Sequence, residues 1–550
     1  MKKVLILGML AMATVLFTTS CQTDAPAPEV AAPGAPAAVQ PGAEAAPVEA
    51  PDDGPFSYPM PGNRTVTWWE PMQGHIAPNF TSHGDTPFVA ALQEMTGITI
   101  EFMHPPEGQA AEALTLMIAA GDLPDIIFQN WLTAFPGGPE RAIEDGVILP
   151  LNDVFERYAP NVHNLLEVER PDWGRLARTD SGFYYVFPFL RETEMLQVFR
   201  GPFMRADWLE ELGLGVPETI DDWENAMIAF RDEMGAQTPF TPLPGLRYNC
   251  PVAAAFGIRL GMGRNEAGNV SFGWVEPAML DYLTLMNRWY QMGLLDPDIA
   301  TITPDIFNAR FTSGMTGVGH ANLGAGLGVL LNAMADDPVF DLVALPVPVL
   351  QRGQSPMLGQ YEFAFIGLGA AITTGVNDLE AAARLLDFGY TMDGYLLHNF
   401  GLEGRDWNWD GDFPRFTDAV LSHPQGWPVS QAIAAVARSS FFGPFVQAED
   451  YIVQIQVWPQ QVNALSTWMQ SATGHRILPP LTPSPDDAAR MAMLMEDINS
   501  FVLERYFAFV MGHEEINQAN FDAFVSNVFA LGLQDVLDIQ QAALDRFHNR

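Results

Sequence analysis

The stretch Ala111–Pro150, AEALTLMIAAGDLPDIIFQNWLTAFPGGPERAIEDGVILP, decides the fold class. Leu114, Met117 and Ile118 repeat at helical spacing, and Ala119 and Ala120 carry the run to a stop at Gly121. Pro124 forbids further helix and holds the residue before it extended. Asp125-Ile126-Ile127-Phe128 then reads as a short buried strand. Gln129, Asn130 and Trp131 follow where that strand ends. Open α/β sheets gather ligands at the carboxyl ends of their strands. An amide pair beside an indole can grip a polar ligand with a flat apolar face, although an ordinary loop with a half-buried Trp fits the same residues.

Upstream, Thr65–Trp69 is a strand pattern of β-branched and aromatic residues ended by Pro71. Phe88–Met95 reads as a helix stopped at Gly97, and Ile98–Phe102 as a second strand ended by Pro105-Pro106. The order strand, helix, strand, helix, strand implies a parallel sheet flanked by helices. Trp68, Trp69 and Glu70 end one strand while Gln129 and Asn130 end another, so these residues can face one crevice. Downstream, Asp180–Pro188 is a turn followed by an aromatic strand. Phe203–Gly213 passes from strand to helix. Thr219 with Asp222 three residues on marks a capped helix start, running to about Phe230.

The chain has 550 residues, 66 acidic groups and a formal charge of −39. Its only lysines are Lys2 and Lys3, so every later basic residue is Arg or His. That charge repels phosphate backbones and excludes nucleic acid as a partner class. It also opposes anionic ligands unless Arg is concentrated locally. Lys2-Lys3, the apolar Val4–Phe17 and Thr18-Thr19-Ser20-Cys21 resemble a bacterial lipoprotein signal peptide, with Thr18 where Leu is usual. Cys21 is then the lipid-bearing residue, and Cys250, the other cysteine, has no disulfide partner. Gln22–Gly62, rich in Ala, Pro and Gly, is expected to be an extended tether.

Several further stretches occur in a characteristic order: GDLPDII, EDGVILPLNDVFERYAPN, SGFYYVFP, FMRADWLEELGLGVPETIDDW, FNARFTSGMTGVG, NDLEAAARLLDFGYTMDGYLL, HNFGLEGRDWNWDGD, Leu478-Pro479-Pro480 and GLQDVLDIQQAALDRF. Together they resemble the family 1 extracellular solute-binding lipoproteins of bacterial ABC importers, in the long, carbohydrate-type branch, from about Arg64 to His548. The resemblance implies an α/β fold, a two-lobed periplasmic-binding-protein-like clamp. Each lobe is a sheet flanked by helices, with the ligand cleft between the lobes. By analogy the chain crosses between lobes near Phe199–Arg205, Leu345–Val349 and Gly401–Asp410. One lobe then comprises residues 63–200 and 346–400, the other 201–345 and 401–550. Long-branch members often carry a calcium loop after the helix that corresponds to Trp223–Phe230. Arg231–Pro239 lacks the alternating Asp/Asn oxygens such a loop needs, so no metal and no cofactor is expected.

Sugar rings stack their C–H faces on aromatic side chains and bond their hydroxyls to amides, carboxylates and Arg. Of 13 Trp, six lie in predicted loops or strand ends: Trp68, Trp69, Trp131, Trp274, Trp407 and Trp409. Trp223, Trp289 and Trp468 sit in helical patterns and read as packing. Candidate ligand contacts are Trp68, Trp69, Glu70, Gln129, Asn130 and Trp131 from one lobe. His320 and Asn322, at the end of a strand before the glycine-rich Gly324–Gly328, are candidates from the other. Arg205 and Trp208 lie at a crossing. Tyr361 and Glu362, with Phe363 beside them, are expected to line the hinge before a strand at Ala364–Leu368. Arg405, Trp407 and Trp409 lie at the third crossing. No G-x-S-x-G, H-E-x-x-H or dinucleotide fingerprint is present in the required context. The expected function is therefore an oligosaccharide receptor, monomeric, exported and lipid-anchored to the cell membrane, facing outward or into the periplasm, that delivers to ABC permease subunits. Peptide binding by the same clamp and an exported polysaccharide-acting enzyme are the alternatives.

Overall fold

The structure, a computed structural model, describes residues 57–242, 250–439, 443–471 and 476–550. The signal segment, Cys21 and most of the tether lie outside the described residues.

Strands β1 (Arg64–Trp69), β2 (Ile98–Met103) and β3 (Ile126–Asn130) run parallel, with Arg64 opposite Ile98 and Trp68 opposite Ile126. Their crossovers are the helices Pro87–Thr96 and Ala110–Ala120. The first begins at Thr86, whose side chain accepts from Val89 N at 3.3 Å, and has Pro87 in its first turn. It stops at Gly97, where φ is +74° and an added Cβ would meet Met60 O at 2.6 Å. The strand expected at Asp125–Phe128 extends to Asn130, so Gln129 and Asn130 lie in it rather than after it.

Strand β4 (Phe187–Pro188) is followed by β5 (Leu190–Arg191) and by the longer β6 (Arg200–Arg205). Strands β7 (Met262–Arg264) and β8 (Val270–Phe272) form a hairpin. Strands β9 (Val318–Asn322) and β10 (Leu342–Ala344) flank β6 antiparallel, giving a second sheet ordered β10-β6-β9. Strand β11 (Leu368–Ile372) then returns to the first sheet. It lies antiparallel between β3 and β4, which gives the order β2-β1-β3-β11-β4. A strand was expected at Ala364–Leu368. It begins only at Leu368, because Gly367 at φ +94° turns the chain into it.

Each sheet carries its own core. Val66, Ile98, Ile126, Ile127, Phe155, Phe187 and Leu386 pack in the first. Met204, Trp223, Phe230, Trp289 and Val318 pack in the second with Ile498 and Val528 from the helices Pro485–Met511 and Gln518–Ala530. Trp468 closes a further face of the second sheet with Phe203, Phe307 and Phe311, its Nε1 donating to Pro202 O at 3.1 Å. The capping box expected at Thr219 and Asp222 is formed and opens the helix Ile220–Asp232.

The segment from Gly401 to Ile455 lies with the first lobe, where the sequence reading had assigned it to the second. It contains strands β12 (Trp407–Asp410) and β13 (Phe413–Phe416), a hairpin, and β14 (Val446–Gln447), which pairs with β5. Gln431 accepts from Asn79 at 2.9 Å, and Arg438 donates to Glu70 at 3.1 Å. Gly401–Asp410 is therefore no crossing. The polar and aromatic density that pointed to a hinge belongs to a satellite core of Leu196, Phe400, Trp407, Phe416, Ile433 and Tyr451. Among the described residues no helix is long and apolar enough to cross a membrane.

Candidate functional site

Two segments that run between the sheets are stitched together by one buried glutamine. Gln360 Oε1 accepts from the backbone N of Phe199 at 2.7 Å and of Arg200 at 3.2 Å, and its Nε2 donates to Gln197 O at 3.2 Å. Glu362 N also donates to Gln197 O, at 3.0 Å. Beside this seam opens a cavity of about 370 Å³, within the roughly 300–1,000 Å³ of small-molecule sites. The first lobe contributes Leu132 and Phe365. The second contributes Arg200 and Arg259. The linking segments contribute Tyr361 and Glu362, and Ile477 through Pro480. Ring faces and prolines supply flat apolar surface, while the guanidinium groups and a carboxylate supply directional bonds.

Tyr361 and Glu362 line this cavity, and Glu362 is held by Arg191 at 2.9 Å. Asn322 reaches it indirectly by accepting from Arg200 Nε at 2.6 Å. His320 is buried one layer behind, against a narrow pocket that Arg200, Cys250 and Gln360 share. Burial, with Arg200 adding to it, holds the His320 pKa down at about 3, so this imidazole is neutral.

Asn130 is a support rather than a contact. Its Oδ1 accepts from Leu132 N at 3.1 Å, capping the short helix Trp131–Ala134, and its Nδ2 donates to Ile366 O at 3.2 Å. Gly367 fits here because an added Cβ would stand 2.5 Å from Leu132 and 2.6 Å from Asn130 Oδ1. The two bonds fix Leu132 at the cavity wall. Replacing Asn130 with Ala is expected to cost about 1–2 kcal/mol in unfolding free energy, read by urea titration, since it removes a cap and leaves Ile366 O without that donor. Gln129, half-buried, turns its side chain to Asn130 N at 3.1 Å.

The tryptophans of the first lobe are core. Trp68, Trp69 and Trp131 are buried among the sheet and its helices, Trp131 completely. Glu70, at the end of β1, is also buried. His83 Nδ1 donates to its carboxylate, and Arg438 donates to it at 3.1 Å. Gln73 N donates to His83 Nε2 at 3.1 Å, which fixes His83 as the neutral Nδ1–H tautomer. His104 Nδ1 donates to Glu70 O at 2.8 Å. The carboxyl edge of β1 and β2 is thus filled by the protein's own side chains, which is why Trp68, Trp69 and Glu70 do not face the cavity.

Arg205 lies five residues beyond Arg200 on β6, roughly 17 Å along at strand rise. It pairs with Asp207 at 2.8 Å and covers Trp208 at 4.4 Å, away from the cavity. Trp208 packs edge-on to Phe230 at 5.1 Å, and Trp274 edge-on to Tyr506 at 5.4 Å, both inside the second core. Trp407 is buried and donates to Gly401 O at 3.0 Å. Arg405 pairs with the adjacent Asp406 at 2.7 Å, and Trp409 is 47% exposed on the β12–β13 hairpin. None of Arg405, Trp407 and Trp409 lines the cavity.

Arg200, Arg259 and Gln360 were missed by the sequence reading, whereas Phe363, expected at the hinge with Tyr361 and Glu362, lines the cavity. Arg200 offered a signal: it begins a strand at an expected crossing, in a chain where basic residues are few. Among the described residues no group of three or more His, Cys, Asp or Glu could hold a metal ion.

A cavity between two sheet-bearing lobes, walled by the segments that link them, defines a clamp that closes on a small molecule. The chain belongs to the bacterial extracellular solute-binding proteins, whose profile matches residues 79–395. The fructooligosaccharide ABC transporter substrate-binding protein FusA of Streptococcus pneumoniae is 22% identical over 83% of this chain and 86% of its own length. The lipoprotein LipO of Bacillus subtilis is 23% identical over 58% of this chain and 64% of its own. Among solved structures, the alginate-binding protein AlgQ2 superposes with a TM-score of 0.72 at 21% identity. That match covers 89% of this chain and all of that one. The family, FusA and AlgQ2 are described as binding proteins.

Proposed function

We propose that this protein is the oligosaccharide receptor of an ABC importer. The observation that carries the reading is the cavity between the lobes, with ring faces and prolines beside fixed polar groups. That combination suits a ligand with both flat C–H faces and hydroxyl rims. FusA and AlgQ2, which are named for a fructooligosaccharide and for alginate, support a sugar as the ligand class. Closure follows from contacts that both lobes make only when the ligand bridges them. Tyr361, Glu362 and Arg200 act at the ligand. Gln360 keeps the linking segments in register, and Asn130 and Asn322 hold Leu132 and Arg200 in place. Acylation of Cys21 tethers the receptor outside the membrane, where it meets its permease as a monomer. The relation to LipO supports that anchorage.

A thermal-shift screen over oligosaccharides and peptides tests the function. A ligand present at ~100 times its dissociation constant adds about 2.7 kcal/mol to the folded state. Stabilisation by peptides with no response to any sugar would overturn the reading, as would cleavage of the bound sugar.

A further inference from the structure

This inference rests on the reading above, in which the cavity between the lobes holds a sugar. Of the described residues lining that cavity, Arg200 and Arg259 are cationic and Glu362 is the one carboxylate. Glu362 is already bonded to Arg191 at 2.9 Å. Among the described residues Arg200 therefore faces the cavity with no carboxylate bonded to it, inside a chain whose formal charge is −39.

Half-buried Arg200 differs from the buried arginines. Arg205 faces Asp207, Arg191 faces Glu362 and Arg438 faces Glu70. Arg200 instead donates its Nε to the amide of Asn322 at 2.6 Å. A neutral partner aims the guanidinium without cancelling its charge, and it leaves the two Nη groups as a fork for a ligand. The neutral His320 behind it supplies no countercharge. Burial works against the charge on Arg200, with Glu362 opposing that effect from across the wall. Holding a half-buried cation against an amide is unfavourable unless an anion completes it. The fork of a guanidinium matches the two oxygens of a carboxylate. Tyr361 and Phe363 stand on the same wall to receive the ring that carries it.

We propose that the oligosaccharide taken by this cleft is acidic, bearing a sugar carboxylate, and that Arg200 reads that carboxylate with Arg259 on the same wall. The negative surface opposes every anion at a distance, so an acidic sugar binds only where the local guanidinium and the ring contacts together outweigh it, and neutral sugars gain nothing from the cleft's charge.

The test uses the purified protein and short uronate- or sialate-containing oligosaccharides, each paired with its carboxyl-reduced, neutral counterpart. Calorimetry is expected to show the acid binding at least about tenfold tighter than its counterpart, as a charge-assisted bond requires. The preference should shrink in high salt. Arg200→Gln should remove the preference and Arg200→Lys should keep part of it. Thermal unfolding of the free variants shows that each is folded, and Arg259→Gln provides a second route to the same loss. Equal or tighter binding of the neutral counterparts would overturn the acidic assignment and leave the sugar receptor intact. So would an acid preference that survives both Arg200→Gln and Arg259→Gln. Silence toward every sugar together with a response to peptides would overturn the receptor reading itself, and this assignment with it.

Discussion

Replacing Arg438 with Met is expected to destabilise the protein by about 3–5 kcal/mol, among the largest single-residue effects in the molecule. Arg438 lies on the late segment that covers the first lobe, and Glu70 lies at the end of β1. Both are buried. Removing the guanidinium leaves a carboxylate out of water with only His83 to answer it. The measurement is the denaturant midpoint. The double variant Arg438→Met with Glu70→Gln should recover part of the loss, because it removes the stranded charge as well. A double variant no more stable than the single one would show that packing, and not charge, holds this junction. The same pair sets acid sensitivity. Burial alone would raise the Glu70 pKa, but Arg438 and His83 outweigh it and hold the carboxyl at about 2, below the ordinary 4.5. A depressed carboxylate stabilises the fold above its unfolded pKa, and that stability is lost as pH falls through the folded one. The contribution is on the order of 3 kcal/mol, full above about pH 5 and lost toward pH 2. Glu70→Gln should therefore flatten the fall in stability across that window.

The second large effect is expected at Trp131. Truncation to Ala should cost about 3–5 kcal/mol, the range for a fully buried Trp. Trp131→Phe should cost far less. The indole Nε1 meets no acceptor among the described residues, so Phe forfeits volume but no hydrogen bond. Folded Trp131→Phe protein is expected to bind its ligand within about threefold of wild type, a difference below ~0.7 kcal/mol. A loss of affinity much larger than the loss of stability would place the indole at the ligand after all.

Trp131 also shows how far the sequence could be read. The helix before it and the strand leading to it follow from periodicity, Gly121 and Pro124, and the three parallel strands follow from their order. The two-lobed α/β clamp is the fold that the motif series implied. What periodicity could not give was which side of the sheet edge each indole takes. Trp68, Trp69 and Trp131 sit at strand ends, yet pack inward because late segments of the chain cover that edge. Arg438, more than 360 positions after Glu70, is the partner that does so. The same distance misplaced residues 401–455: their aromatic residues look like a hinge until β14 is seen pairing with β5. Tyr361 and Glu362 were legible because a linker between lobes must run past the cleft. Arg200 was not, because its meaning comes from standing opposite an amide where the buried arginines face acids.

Strand β11 constrains the order of assembly. It joins β3 to β4, yet it follows the second sheet in the chain. A growing or newly exported chain therefore holds β4 without its neighbour until residue 368 and beyond have arrived. The first lobe is not a module that can finish by itself and wait. Part of the second lobe lies between β4 and β11 in the chain, and its helices Pro485–Met511 and Gln518–Ala530 come later still, so the two must mature together. A fragment ending near Arg191 is expected to lack a cooperative unfolding transition, because β4 then stands without β11.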